Sequence, residues 1–156
     1  MKRITFYILL VFLFSYSCQK RSDIQPGKND DPAVDSTVNR TLLLQLVNDV
    51  RGKGCNCGAT AMPPVAAVTW NNRLEAAARA HAEDMSKNNY FSHTGLNGST
   101  PGDRITAAGY EWQGYGENIA KGYPSEQAVV DAWIKSEGHC KNIMNGNFKE
   151  MGVAMT

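Results

Sequence analysis

The stretch NNRLEAAARAHAEDMSKNNYFSHTG, Asn71 to Gly95, carries the clearest fold signal in the chain. Leu74, Ala77, Ala78, His81 and Met85 recur at helical spacing, so one stripe of a helix faces a core. Asn71 suits the N-cap, because its side chain can accept from the free N–H groups of the first turn. The helix is expected to reach about Asn88. Its many alanines let a neighbouring element approach closely. Just beyond it, Tyr90-Phe91-Ser92-His93-Thr94 places a histidine where the chain turns irregular.

Working outward, Leu42, Leu43, Leu46, Val47 and Val50 predict an earlier amphipathic helix over about Thr37 to Arg51. Gly52 and Gly54 are expected to end it. Cys55 to Val68 reads as loop, broken by Gly58 and Pro63-Pro64. On the C-terminal side, Ser99 or Thr100 can cap a short helix with Pro101 first and Gly109 at its end. Tyr115 to Lys121 reads as extended. Ser125 opens a further helix with Ala128, Val129, Ala132 and Trp133 inward, and a helical turn follows around Cys140 to Met144. Met151 to Met155 reads as a strand with Val153 and Met155 on one face. Helices dominate and strands are few, which suits α+β layers and not a doubly wound sheet.

The 156 residues fit one domain with a short tail. A formal net charge of +1 provides no field for nucleic acid, so no nucleic-acid partner is expected. Three Trp, five Phe and six Tyr supply a core and exclude wholesale disorder.

The N-terminus reads Met1-Lys2-Arg3, an apolar run from Ile4 to Phe14, then Ser15-Tyr16-Ser17-Cys18. Charge followed by a run too short to span a bilayer is the pattern of a signal peptide, residues 1–18. Small residues before Cys18 resemble a bacterial lipoprotein signal, with Ser15 where an aliphatic residue is usual. The expectation is a lipid anchor at Cys18 and a membrane partner through it; the alternative is an ordinary cleaved leader. Residues 19–39 are polar and carry Pro26 and Pro32, as a flexible tether does. The folded domain then covers residues 40–156, in an exported, oxidising compartment of the cell envelope.

Cys55, Cys57 and Cys140 remain, an odd number that allows one bridge and one free thiol. A Cys55–Cys57 bridge is strained, whereas one to Cys140 closes a loop worth about 4 kcal/mol in the chain-entropy model. Cys57–Cys140 is the favoured pairing. The rival is a zinc site built from the three cysteines and a histidine.

Three irregular segments concentrate titratable groups: Tyr90 to Thr94, Gly116-Glu117-Asn118-Ile119-Ala120, and Ser136-Glu137-Gly138-His139-Cys140. Imidazoles and carboxylates suit zinc, or acid–base work on a bound water. A lone loop His or Glu is more often structural, and His81, Trp70 and Trp133 read as core. Glu117 is harder to dismiss, because a carboxylate in an apolar-flanked extended segment needs partners when buried.

The ordered strings HAEDMSKNNYFSHTG, STPGDRITAAGY, GENIA, AWIKSEGHCKNIM and NFKEMGVA resemble the CAP superfamily, in its bacterial secreted branch. Its members include cysteine-rich secretory proteins, antigen 5 and plant pathogenesis-related proteins. The resemblance covers about Leu42 to the end. It implies a three-layer α-β-α sandwich with a central antiparallel sheet, and a cleft of two histidines and two acidic residues. His93, Glu117 and His139 match three of these. At the fourth stands Ser136, with Glu137 one residue later. Relatives also continue past a GVA-like strand into another strand, so either the sequence extends beyond Thr156 or the sheet lacks an edge strand.

Three functions compete. The first is a binding module in which His93, His139 and Glu117, with Glu137 as a possible fourth, hold a divalent ion, zinc above all, or a small ligand. The second is an envelope scaffold that binds a protein or glycan partner through Gly95 to Thr100 and the aromatics Tyr110, Trp112 and Tyr115; a lipid ligand is a further expected partner of the domain. The third is a hydrolase using Glu117, His93, His139 and Ser136 on a peptide or ester bond. Binding ranks first and hydrolysis last, because no acidic orienter for a Ser136–His139 pair is evident.

Overall fold

The computed structural model describes residues 5–11 and 38–156. Cys18 and nearly all of the expected tether lie outside the described residues. Eleven elements follow in chain order. Thr5–Val11 forms β1, within the run read as leader. Helix α1 covers Arg40–Lys53, because Asn39 caps it by accepting from Leu42 N–H at 3.0 Å. It starts later than the periodicity suggests and runs through Gly52, stopping at Gly54 (φ +74°).

The segment expected to be loop contains a small hairpin, β2 (Cys55–Cys57) and β3 (Thr60–Met62), closed at Gly58, whose φ of +59° suits glycine. β4 (Thr69–Trp70) leads into α2 (Asn72–Lys87), capped by Asn71 as its sequence predicts. α3 (Pro101–Ala107) opens with a capping box between Thr100 and Asp103. β5 (Tyr115–Lys121), α4 (Glu126–Lys135), α5 (Glu137–Ile143) and β6 (Glu150–Gly152) complete the order. The last strand is shorter and earlier than expected. Val153 and Ala154 are buried, yet they follow the ladder instead of belonging to it.

The main sheet has the order β4-β6-β1-β5. β1 pairs antiparallel with both β5 and β6, while β4 pairs parallel with β6. The sheet is therefore antiparallel except at one short edge pair. Helices cover both faces. On one, Ala78, Ala82 and Met85 of α2 pack with Ile119 and Ala154. On the other, Leu43 and Val47 of α1, Val129, Val130 and Trp133 of α4, and Ile143 of α5 pack with Ala120 and Met151. This is the α+β, α-β-α sandwich. Each fully buried Leu, Ile or Val contributes roughly 1.5–3 kcal/mol.

Two features make the close fit possible. Gly152 lies so near the first turn of α2 that a Cβ there would stand 2.1 Å from the Glu75 backbone nitrogen. Arg51, fully buried, donates to the carbonyls of Ala66, Ile143, Asn145 and Phe148 at 2.6–3.1 Å. It thereby ties α1 to the α5–β6 connection and leaves those buried carbonyls satisfied.

Candidate functional site

β5 organises the site through its pleat. Successive side chains of a strand point to opposite faces. Glu117 goes with Ile119 toward α2 and α3, and Asn118 goes with Ala120 toward α5. Because β5 is an edge strand, the two faces meet around its rim. Gly116 keeps that rim low: a Cβ there would press on Asn142 and Phe148 at 3.0 Å.

On the first face, Glu117 Oε1 accepts from His93 Nδ1 at 2.7 Å, and Oε2 accepts from Arg104 Nη2 at 2.7 Å. The glutamate side chain is only 5% exposed, and that of His93 is 51% exposed. Arg104 also donates to the carbonyls of His93 and Ser99, both at 3.0 Å. The loop that carries His93 is thus fastened to α3 and β5 together. Beneath it, buried His81 bonds the Ser92 carbonyl through Nε2 at 2.8 Å. Burial, and then the charge of Arg104, lower the His81 pKa. Tyr90 donates to Asp84, and burial and that bond push the phenol up to about 12.

On the second face, Asn118 Nδ2 donates to the His139 carbonyl at 3.1 Å, and Asn142 Nδ2 donates to Asn118 Oδ1 at 2.8 Å. These bonds fix the start of α5 against β5. His139 is half-buried. Its pKa is lowered by burial first and by the charge of His93 second. His93, 46 residues away in sequence, is thus a secondary contributor to the lowered His139 pKa.

The other expected site residues fall elsewhere. Glu137 is exposed, pairs with Lys141 at 2.6 Å and leans over Gly58 of the hairpin. It does not join His93 and Glu117. Ser136 stands between α4 and α5, and its side chain makes no capping bond. Tyr110 is core, donating to Glu150, so it leaves the proposed aromatic face. Trp112 and Tyr115 remain half-exposed and meet edge to face at 4.8 Å. A cavity of about 500 Å³ lined by Asn71, Arg73, Tyr110 and Glu150 shares no residue with the histidine site.

Arg104 is the residue that sequence reading missed. A signal existed: Glu117 needs a cation if buried, and Arg104 and Lys121 are the only lysines or arginines between His93 and Gly122.

The donor chemistry can be tested against a metal. Glu117 has both oxygens engaged, so it orients His93 instead of acting as a free ligand. In a neutral ring whose Nδ1–H is given to a carboxylate, Nε2 keeps the lone pair, the usual arrangement of a metal-binding imidazole, and the His93 ring is exposed. His139 is held toward its neutral form. Two imidazoles fit a divalent ion; the third ligand would be water or an incoming group. Among the described residues, the one group of three ligating side chains with atoms mutually within 4.8 Å is Cys55, Cys57 and Cys140. Cys57 and Cys140 form the disulfide, in agreement with the favoured pairing, and Cys55 is free.

The family model described as "CAP: Cysteine-rich secretory protein family" matches residues 44–156. The uncharacterized protein YkwD of Bacillus subtilis (strain 168) is 45% identical over 80 residues, 51% of this chain and 31% of that one. The uncharacterized membrane protein YlbC of the same strain is 33% identical over 119 residues, 76% of this chain and 32% of that one. The chain thus spans about a third of the length of these relatives. Among solved structures, a Bacillus anthracis extracellular protein containing an SCP domain aligns with a TM-score of 0.64 and 31% identity, covering 72% of this chain and 35% of that one. An outer surface protein from Borrelia burgdorferi aligns at 0.60 with 24% identity, covering 72% and 76%, and shows the fold alone.

Proposed function

The chain belongs to the CAP family of cysteine-rich secretory proteins, and from that premise we propose that its histidine cleft binds a divalent cation outside the cytoplasm. His93 and His139 hold the ion, while Glu117 and Arg104 hold His93. The ion supplies a positive centre that attracts an anionic or carbonyl group of a further ligand; the protein supplies orientation. The observation that carries this reading is the 2.7 Å bond from His93 Nδ1 to Glu117, which leaves Nε2 free at an exposed ring.

Export is supported by the charged, apolar opening of the sequence and by a structural relative described as extracellular. Cys18 is the proposed anchor, which places the domain on the cell envelope. Titration of the oxidised protein with Zn²⁺ tests the site. Binding at one equivalent that weakens at least tenfold in both His93→Ala and His139→Ala supports it. Equal binding in the two variants and the parent defeats it.

A glycan-binding face is the second reading, favoured by the exposed Trp112–Tyr115 pair beside Gly102. Aromatic edges and faces of this kind suit sugar stacking. Retention on peptidoglycan that is lost in Trp112→Ala and kept in His93→Ala would select it over the first.

A further inference from the structure

Three sulfur atoms, and not two, meet where the hairpin crosses α5. Cys55 and Cys57 are two residues apart on β2, and period-two alternation turns both side chains to the same face. Cys140 of α5 meets that face. Its Sγ is bonded to Cys57, and the Cys55 Sγ stands 3.6 Å away. All three sulfurs lie within 4.8 Å of one another. Cys57 and Cys140 are fully buried, whereas Cys55 is half-buried at the rim.

We propose that Cys55 is a nucleophile for the Cys57–Cys140 bridge, so the hairpin can be tied to α5 through either cysteine. In the exchange, the Cys55 thiolate attacks Cys140 Sγ, a Cys55–Cys140 bond forms, and the Cys57–Cys140 bond breaks. Cys57 leaves as a thiolate and takes up the proton that Cys55 gave to solvent. No oxidant or reductant is consumed. The two bridges close loops of nearly equal sequence separation, 83 and 85 residues. Chain entropy therefore scarcely distinguishes them, and both bonds hold the same hairpin to the same helix.

The geometry also sets the pace. Attack at sulfur proceeds along the line of the breaking bond, and three sulfurs in a compact triangle are not in line. Exchange waits on rotation of the Cys55 side chain. Burial raises the Cys55 thiol, which limits the thiolate further and makes the reaction faster in alkaline solution. Among the described residues, Cys55 is the thiol at the rim, open to a small external disulfide while the Cys57–Cys140 bridge stands.

The test uses the full oxidised chain, held at alkaline pH, acid-quenched and labelled with a maleimide. Tandem mass spectrometry then locates the label. The expected result is label on both Cys55 and Cys57, within about tenfold of each other and independent of protein concentration. Label on Cys55 alone overturns the proposal. In Cys57→Ser, a Cys55–Cys140 bridge is expected, with neither of these two cysteines open to the label. A folded Cys57→Ser protein in which Cys55 and Cys140 both take the label overturns it too. If that variant does not fold, the label distribution in the parent protein decides.

Discussion

His93 Nδ1 and Glu117 Oε1 stand 2.7 Å apart across the edge of the sheet, and Arg104 holds the other oxygen of the same carboxylate at 2.7 Å. The ring is therefore aimed before any ligand arrives. Glu117→Gln keeps the shape and removes the charge that both partners share. The expected result is Zn²⁺ affinity lower by roughly 10–100-fold, read by calorimetry. An unchanged affinity would show that the ring needs no orienter.

Arg51 predicts a stability effect remote from the site. Its guanidinium serves four buried or partly buried carbonyls on three segments. Arg51→Met fills similar space with no donor. Urea unfolding is expected to show a loss of about 3 kcal/mol or more, because several carbonyls lose their partners at once. A loss under about 1 kcal/mol would mean that water replaces the donor.

The pH dependence follows from His81 and His139. Both have pKa values lowered in the fold, with burial as the leading cause. Below the ordinary histidine value of about 6.5, the unfolded chain binds more protons than the folded one. Their contribution to stability is full above that pH and is lost as pH falls through the folded values. Urea midpoints measured from about pH 7.5 downward should decline below about pH 6.5, with a smaller decline in His139→Gln. A midpoint that rises with acid would contradict the burial argument.

The sheet makes its own prediction. Among the described residues, β5 has one strand partner, β1, which also bridges it to β6. Processing at Cys18, which the proposed anchor requires, removes β1; relative to the unprocessed chain, the processed one leaves β5 without a ladder and exposes backbone on both flanking strands. Its melting temperature is expected to fall by about 5 °C or more, with dye binding that reports exposed apolar surface. An unchanged melting temperature would mean that another segment occupies that place.

Much of this was legible in the sequence, for physical reasons that differ by element. Asn71, Pro101, Gly109 and Ser125 mark helix ends because caps and turns are local chemistry, and the helices begin or end near them. Tyr115 to Lys121 is extended as its flanking glycines suggest. The hairpin of Cys55 to Met62 escaped, because three-residue strands show too little alternation to be seen. The roles of Arg51 and Arg104 escaped for another reason. A buried arginine is defined by carbonyls and carboxylates far away in sequence, and no periodicity encodes them. Glu137 sits close to His139 in α5 yet turns away to Lys141, because each residue rotates a helical side chain by about 100°.

The most direct test of the account follows the three histidine rings by nitrogen NMR while Zn²⁺ is added to the oxidised protein. The prediction is that the His93 Nε2 and a His139 ring nitrogen shift together and saturate at one equivalent, while His81, bonded to Ser92, stays in place. Shifts at one ring alone, or at none, would contradict a cation site shared across the edge of β5.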